Sequence, residues 1–407
     1  MTQLCDRHVH AARDPRFGAQ VCGGARGWAA AASMGCVVSK QEAGARYNGD
    51  GESKQQGGKP ADDMSVVNAS RYGPEHVTTL LSQPQSYTGM LELNVSMNDL
   101  LLLPDGIGEF TQLVKLDLSS NKLNQLPAAI GKLANLEVLD CNDNELKALP
   151  AEIGECTKLH TLLAYRNAIA SLPDTIGQLQ NLNELNVFNN KVLSLPASLG
   201  TLSRAEQINL AANKMFKVDP PVVAGWTSVE VLNIYDCRLL RLAPLSHMQA
   251  LKELRLFGNQ LREVPTFGDG LPKLQLLELH RNDIAEVPPG VFDGMGELTK
   301  LNLSRNKLKS LPANLAGAKL QSLLLDENEL ENIPSDIATM PALTVLLLNS
   351  NRIASLPPAF LDNRIVQRVN VKDNPLNDSP QAPRPRRRPS TIVSAWPRAR
   401  RALAVPS

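Results

Sequence analysis

Gly35 and Cys36 are the first residues in this chain whose types and spacing could do chemistry. They lie in "MGCVVSK" at 34–40, which satisfies the pattern M-G-x-x-x-[ST]. With the methionine removed, the Gly35 amine could accept a myristoyl chain, and Ser39 stands at the required offset. The Cys36 thiol would then lie at a membrane surface, where a thioester to palmitate forms. A single myristoyl chain supplies only about 10⁴ M⁻¹ of membrane affinity, so stable anchoring needs a second signal, which Cys36 would provide. An internal glycine has no free amine. The motif therefore requires residues 1–33 to be absent from the acylated form, by initiation at Met34 or by cleavage. That leader shows no apolar targeting region and no repeat.

A second group of residues could make contacts rather than bonds. Tyr165, Phe188, Tyr235, Phe257 and His280 recur at one place in a repeating pattern, and Arg166, Lys191, Lys214, Arg238, Arg255 and Arg281 surround them. Aromatic anchors bordered by arginine are the usual material of protein-binding hot spots. The competing reading is that the rings only stack across strands and stabilise a sheet. Single-stranded RNA could also use rings and arginines. Asp117, Asp140, Asp143, Asp236, Glu253, Glu278, Asp326 and Glu327 share the face, however, and would repel phosphate, so no nucleic-acid partner is expected.

Catalytic chemistry is missing from the sequence. It contains no G-x-x-x-x-G-K-[ST] phosphate loop, no H-E-x-x-H and no nucleophile elbow. The six histidines do not cluster, and the six cysteines (Cys5, Cys22, Cys36, Cys141, Cys156, Cys237) lack both disulfide-framework and zinc-ligand spacing. No catalytic residue, metal, cofactor or small-molecule substrate is expected. The formal net charge of +1 over 407 residues gives no global pull toward nucleic acid or membrane.

The elements that must position the contact residues are repeats. Only 4% of the chain is aromatic while leucine is abundant, as expected of one small unit used many times. The template L-x-x-L-x-L-x-x-N-x-L is clearest in "LVKLDLSSNKL" at 113–123. Its asparagine position falls at Asn98, Asn121, Asn144, Asn167, Asn190, Asn213, Cys237, Asn259, Asn282, Asn306, Asn328, Asn351 and Asn374. Successive steps are 22, 23 or 24 residues, which makes thirteen repeats. In each, a short strand points its aliphatic residues inward (Leu116 and Leu118 in the second) and its polar residues outward. A lone repeat cannot bury its apolar face, so parallel copies must stack into a solenoid with strands lining the concave side. The asparagine can both donate and accept toward backbone inside the turn, and Cys237 is a weaker substitute. The ring column is the position just after the second strand leucine. On the convex side "LPAAIGKL", "LPAEIGEC" and "LPDTIGQL" recur, with proline ending the strand and Ile-Gly-x-Leu supplying a second apolar ridge.

With these motifs, residues 90–377 resemble the intracellular leucine-rich repeat family. The LPxxIGxL signature is similar to that of plant Ras-group leucine-rich repeat proteins and the animal Shoc-type Ras scaffold. The resemblance implies an α/β solenoid, or horseshoe, that binds proteins without catalysis, with a small GTPase among the candidate partners. The middle departs from the pattern: Ala205 replaces a leading leucine, "VDPPVVAGW" at 218–226 replaces the usual convex segment, and "LAPLSHMQAL" at 242–251 is one residue short. No [RK]-V-x-F phosphatase-docking tetrad is present. The segment "MGCVVSK" resembles the dual-acylated N-termini of Src-type kinases and some G-protein α subunits, with Gly35 and Cys36 matching their acylated residues.

The remaining segments complete the organisation. Residues 34–72 hold the acylation site and a polar stretch read as a flexible tether. Within 73–89, "GPEHVTTLLS" predicts a cap helix burying Val77, Leu80 and Leu81. The last strand, "VQRVNVKDNPL", carries charges and Pro375 that discourage further pairing. Residues 378–407 form a basic tail with seven arginines against one aspartate. There "RRRPST" makes Ser390 and Thr391 candidate basophilic-kinase sites, and phosphorylation would weaken any attraction to anionic lipid. The expected whole is a scaffold held by lipid at the cytoplasmic face of a membrane. The alternative is a cytosolic or cytoskeletal adaptor whose acylation motif is accidental.

Overall fold

A computed structural model of the chain describes residues 65–376 except 88, 314, 316–318 and 363–365. Gly35, Cys36, Ser390 and Thr391, with the leader, most of the tether and the basic tail, lie outside the described residues. Among the described residues no helix is long and apolar enough to cross a membrane.

Fourteen strands follow one another in chain order in a single parallel sheet, from Val66–Asn68 to Arg368–Asn370. Each has three residues, and the central one is paired with its counterpart in the next repeat: Leu93 with Leu116, Leu116 with Leu139, Leu139 with Leu162. The pairing follows from patterning. Leu116 and Leu118 are fully buried while Lys115 and Asp117 face outward, and a slip of one residue would invert that arrangement in every strand.

On the opposite side the chain returns through short 3₁₀ turns, among them Asp105–Glu109, Ala128–Lys132, Ala151–Glu155, Asp174–Gln178 and Ala197–Thr201. A proline stands before each in extended conformation (Pro127 has φ −71° and ψ 151°), which its ring favours while withholding a ladder amide. The isoleucine of each Ile-Gly pair is buried, and the glycine permits close stacking of successive turns. A Cβ on Gly131 would lie 2.7 Å from the Glu152 carbonyl oxygen, and one on Gly154 would lie 2.5 Å from that of Thr175.

The asparagines close the turns as their chemistry predicts. Asn121 donates through Nδ2 to the carbonyls of Val95 (3.0 Å) and Leu118 (2.9 Å), and its Oδ1 accepts from the amides of Asn98 (2.9 Å) and Leu100 (3.0 Å). Asn190 and Asn282 repeat the two donor bonds and accept one amide each, from Ile169 and Leu261. The residue just before each asparagine has positive φ, as in Ser120 (54°), Arg166 (52°) and Arg281 (56°). That left-handed step turns the chain away from the strand.

Two features differ from expectation. Val66–Asn68, inside the stretch read as tether, is a strand, so thirteen asparagine repeats are preceded by one more unit. Ala69 takes the place of the second strand leucine, and its amide donates to Asn94 O at 2.7 Å. Arg71 has the positive φ of the turn (64°), and Tyr72 stands where the asparagine would be. The helix expected near 73–82 is present as Pro74–Leu81, with Val77 and Leu81 buried and Leu80 packed partly against the core. It is the return segment of this extra unit. The second difference lies in the middle, where "VDPPVVAGW" forms a short α-helix, Pro220–Val223. Trp226, fully buried, donates through Nε1 to Leu199 O at 2.9 Å. Beside it Lys217–Val218 and Arg241–Leu242 pair in a small second sheet.

Candidate protein-binding face

The outward residues of fourteen parallel strands are carried on a backbone whose spacing is fixed by the ladder, so columns of side chains line up across repeats. Along the column after the second strand leucine, the rings gather in the middle. Phe188 and Tyr235 have centroids 6.1 Å apart and tilted by 48°, with the buried Ala211 in the intervening repeat. Tyr235 and Phe257 stack at 4.4 Å and 8°, and Phe257 and His280 at 4.5 Å and 12°. All four rings are half-buried, as is Tyr165 one repeat before Phe188. The stacking expected as the competing reading is therefore present, and it leaves part of each ring open on the sheet.

His280 ends the stack. Asn302 Nδ2 lies 3.0 Å from its Nδ1, a geometry in which the ring nitrogen accepts. Burial pushes its pKa below the usual imidazole value. Glu278 opposes that shift, while Arg281, Lys300 and Arg305 reinforce it. At the other end, burial above all, then Asp140 and Asp143, raises the Tyr165 hydroxyl to about 12. Asp140 itself is pushed up to about 6, chiefly by burial. The Asn142 amide at 3.1 Å opposes that rise, and Asp117 and Asp143 add to it.

The cations around the rings fall into two groups. Arg255 is only 18% exposed, with Glu253 at 2.6 Å and Glu278 at 3.7 Å, and it also donates to Asn233 Oδ1 at 3.2 Å. Lys300 approaches the same Glu278 at 2.9 Å. Arg166 reaches Asp143 at 3.5 Å and Arg281 reaches Asp236 at 4.0 Å. These three arginines are thus balanced by acids of the same face. Lys191, Lys214 and Arg238 belong to the second group. They stand one residue past the asparagine position, on the limb leaving the sheet: the Lys191 amide donates to Ile169 O and that of Lys214 to Val192 O, both at 2.9 Å. They are exposed, and among the described residues none has an ion-pair partner. The residues that hold the rings and arginines in place, Asn302, Glu253 and Glu278, had no assigned positioning role in the sequence. Aligning the columns would have shown Glu278 beside Arg255, since their strand positions are paired.

No group of three or more His, Cys, Asp or Glu residues that could hold a metal ion occurs among the described residues. Cys141, Cys156 and Cys237 are buried free thiols, and burial raises the pKa of each.

The parallel sheet, its asparagine-closed turns and its open concave face define a leucine-rich repeat solenoid. The family profile described as "Leucine-rich repeat region" matches residues 91–219, and the one described as "Leucine rich repeat" matches 272–317. Among curated relatives the chain is similar to podocan of Mus musculus, 32% identical over 148 residues (33% of this chain, 23% of podocan). It is also similar to keratocan of Gallus gallus, 30% identical over 136 residues (32% and 38%). The chain spans well under two thirds of these relatives' own length. Among solved structures it resembles a leucine-rich repeat protein of Leptospira interrogans, with a TM-score of 0.58 and 29% identity over 72% of this chain and 81% of that one. The plant peptide hormone receptor RGFR1, solved in complex with RGF2, gives a TM-score of 0.62 and 28% identity over 71% and 48%.

Proposed function

We propose that this chain is a non-catalytic protein-binding scaffold that receives its partner on the central concave face, and that Gly35 and Cys36 carry lipids holding it at the cytoplasmic face of a membrane. The observation that carries the binding reading is the ring stack from Phe188 to His280. A contiguous apolar column left partly open to water costs solubility unless something covers it. Receptors of the same fold are consistent with such use: RGFR1 and the Arabidopsis receptor kinase HAESA were both solved with peptide hormones. Here the resemblance of the convex signature to Ras-group repeats makes a small GTPase the first candidate. The ion-paired arginines would serve as positioned hydrogen-bond donors, with Tyr165 and the rings as anchors.

The test has two arms. Purification from native membranes with the intact chain and with a Phe188→Ala, Phe257→Ala variant should recover a partner only with the former; equal recovery would remove the concave face from the reading. N-terminal mass spectrometry should find a form beginning at Gly35, acylated there and on Cys36. An abundant form beginning at Thr2 or Met1, or an unmodified Gly35 in a protein that stays out of membranes, would leave a cytosolic adaptor.

A further inference from the structure

Beyond the strand ends the solenoid has a feature separate from its concave face. Three residues past the asparagine position, Leu193, Phe216 and Leu240 occupy consecutive repeats and are 56%, 50% and 47% exposed. They are adjacent by backbone bonding: the Leu240 amide donates to Phe216 O at 2.9 Å, and the Lys214 amide to Val192 O at 2.9 Å. They form a protruding ridge on the outer edge of the repeats. Leu101 and Leu102, also exposed, stand on the same edge in the first asparagine repeat.

Cations flank the ridge on both sides. Lys191, Lys214 and Arg238 precede the three apolar residues by two positions, while Lys217 and Arg241 follow the second and third directly. The small sheet found only here pairs Arg241 with Lys217 in register, side by side. Lys217 has Asp219 at 2.7 Å. Arg241, Lys191, Lys214 and Arg238 have no ion-pair partner among the described residues. Four such cations on one edge leave a positive stripe that an anionic surface would complement.

We infer that this edge, with the Leu193–Phe216–Leu240 ridge and its flanking lysines and arginines, is a docking surface for an anionic lipid bilayer. The apolar side chains would enter the headgroup boundary, and the lysine and arginine stems would lie along them while their charged ends reach phosphates and carboxylates. A ridge suits a bilayer better than a protein pocket, because its side chains project outward in successive repeats and a flat surface can meet all of them. This contact does not depend on acylation of Gly35. It would fix which edge of the solenoid faces the membrane, leaving the concave face open sideways to a partner.

Cosedimentation of the full chain carrying Gly35→Ala and Cys36→Ser tests it, using vesicles of phosphatidylcholine alone or mixed with phosphatidylserine. Binding is expected only to the mixed vesicles, and it should weaken with salt. Phe216→Asp with Leu240→Asp should lower that binding about ten-fold or more. Lys217→Glu with Arg241→Glu should do likewise and flatten the salt dependence. Both pairs are at the surface, so thermal unfolding should stay at the parent value. If both variants bind as tightly as the parent, the attraction comes from the basic tail at 378–407 and the inference fails. It fails also if the parent binds no vesicle, and an acidic protein retained by the parent and lost by the variants would then make the occupant of this edge a protein.

Discussion

The asparagine column and the ring column lie two residues apart on the same repeats, yet they behave oppositely. The first is the same residue at twelve of thirteen positions, largely buried, and each side chain is bonded to backbone of its own and neighbouring turns. The second changes at almost every step, from Ser96 and Ser119 at the start through Tyr165, Phe188, Tyr235, Phe257 and His280 in the middle to Asp326, Asn349 and Lys372 at the far end, and its rings stay half-open. Uniformity marks the column that every repeat needs in order to fold. Where a backbone position tolerates anything, the residues gathered there are free to serve a partner, and departures from the average become the informative part.

The sharpest way to break this comparison is to remove rings. Phe188→Ala with Tyr235→Ala should weaken partner binding by about 1 to 2 kcal/mol for each ring, measured by titration calorimetry. Some stability goes with them, because Tyr235 stacks on Phe257 at 4.4 Å and such pairs are worth about 0.5 to 1.5 kcal/mol. Equal losses of binding and stability would mean that the rings serve the sheet alone. The converse change is Asn190→Leu. It leaves the Ile169 amide and the carbonyls of Ala164 and Val187 without their partner, so chemical unfolding should show a loss of about 1 to 3 kcal/mol. An unaltered unfolding midpoint would show that water replaces the side chain.

How much of this was legible can be argued residue by residue. The period, the asparagine bonding and the helix at 74–81 follow from local pattern, which repetition averages until little noise remains. The first strand was hidden because Ala69 and Tyr72 replace the two residues that define the template; only the spacing of "VVNASRY" against the next repeat retains the signal. The balance of charge at Arg255 was hidden for another reason. Glu278 is 23 residues away in sequence yet sits on the neighbouring strand, so a charge read along the chain as one offered to a partner belongs to a cross-strand pair. The edge ridge at Leu193, Phe216 and Leu240 was open to the same column alignment.

A third column, on the strands themselves, allows a comparison by pH. Asn94, Asn186, Asn209 and Asn302 each accept the backbone amide two residues on, and Asp140 does the same work as a carboxylate. Burial raises its pKa to about 6, above the unfolded value, so the folded state holds the proton more tightly. The sign follows from that: no cost falls on the fold below about pH 4, the cost grows between about 4 and 6, and it is complete above that. Two pKa units would be worth about 3 kcal/mol, and solvent at the half-open carboxylate reduces this to about 1 to 2. Asp140→Asn should therefore stabilise by that amount at pH 7 and by almost nothing at pH 4, read from unfolding curves at the two pH values. Equal effects at both would place the benefit in the amide's bonding rather than in removal of charge.

The smallest expected effect comes from the one place where the uniform column breaks. Cys237 sits in the asparagine slot, fully buried, with its Sγ 3.2 Å from Leu210 O and 3.3 Å from Tyr235 O. A thiol has one weak donor where an amide has two strong ones, and it offers sulfur where neighbouring repeats offer a carbonyl oxygen. Burial first of all raises the Cys237 pKa to about 12, which keeps it a neutral, unreactive filler at physiological pH. The break falls in the repeat that departs from the pattern elsewhere, between Pro220–Val223 and the paired strand Arg241–Leu242. Two explanations predict different outcomes for Cys237→Asn. If the cysteine is merely tolerated, the amide should bond to Leu210 O and Ile234 or Tyr235 O as its counterparts do, and the protein should gain about 0.5 to 1 kcal/mol. If the altered turns beside it have taken up a shape that only sulfur fills, the larger polar group will be overpacked and stability will fall. The amide bond from Leu239 N to Asn259 Oδ1 at 2.9 Å, the counterpart of Leu123 N to Asn144 Oδ1 and Ile169 N to Asn190 Oδ1, shows that the backbone in this slot keeps the ordinary register. The expectation is therefore a modest gain, checked by a rise in the thermal midpoint of the Cys237→Asn variant.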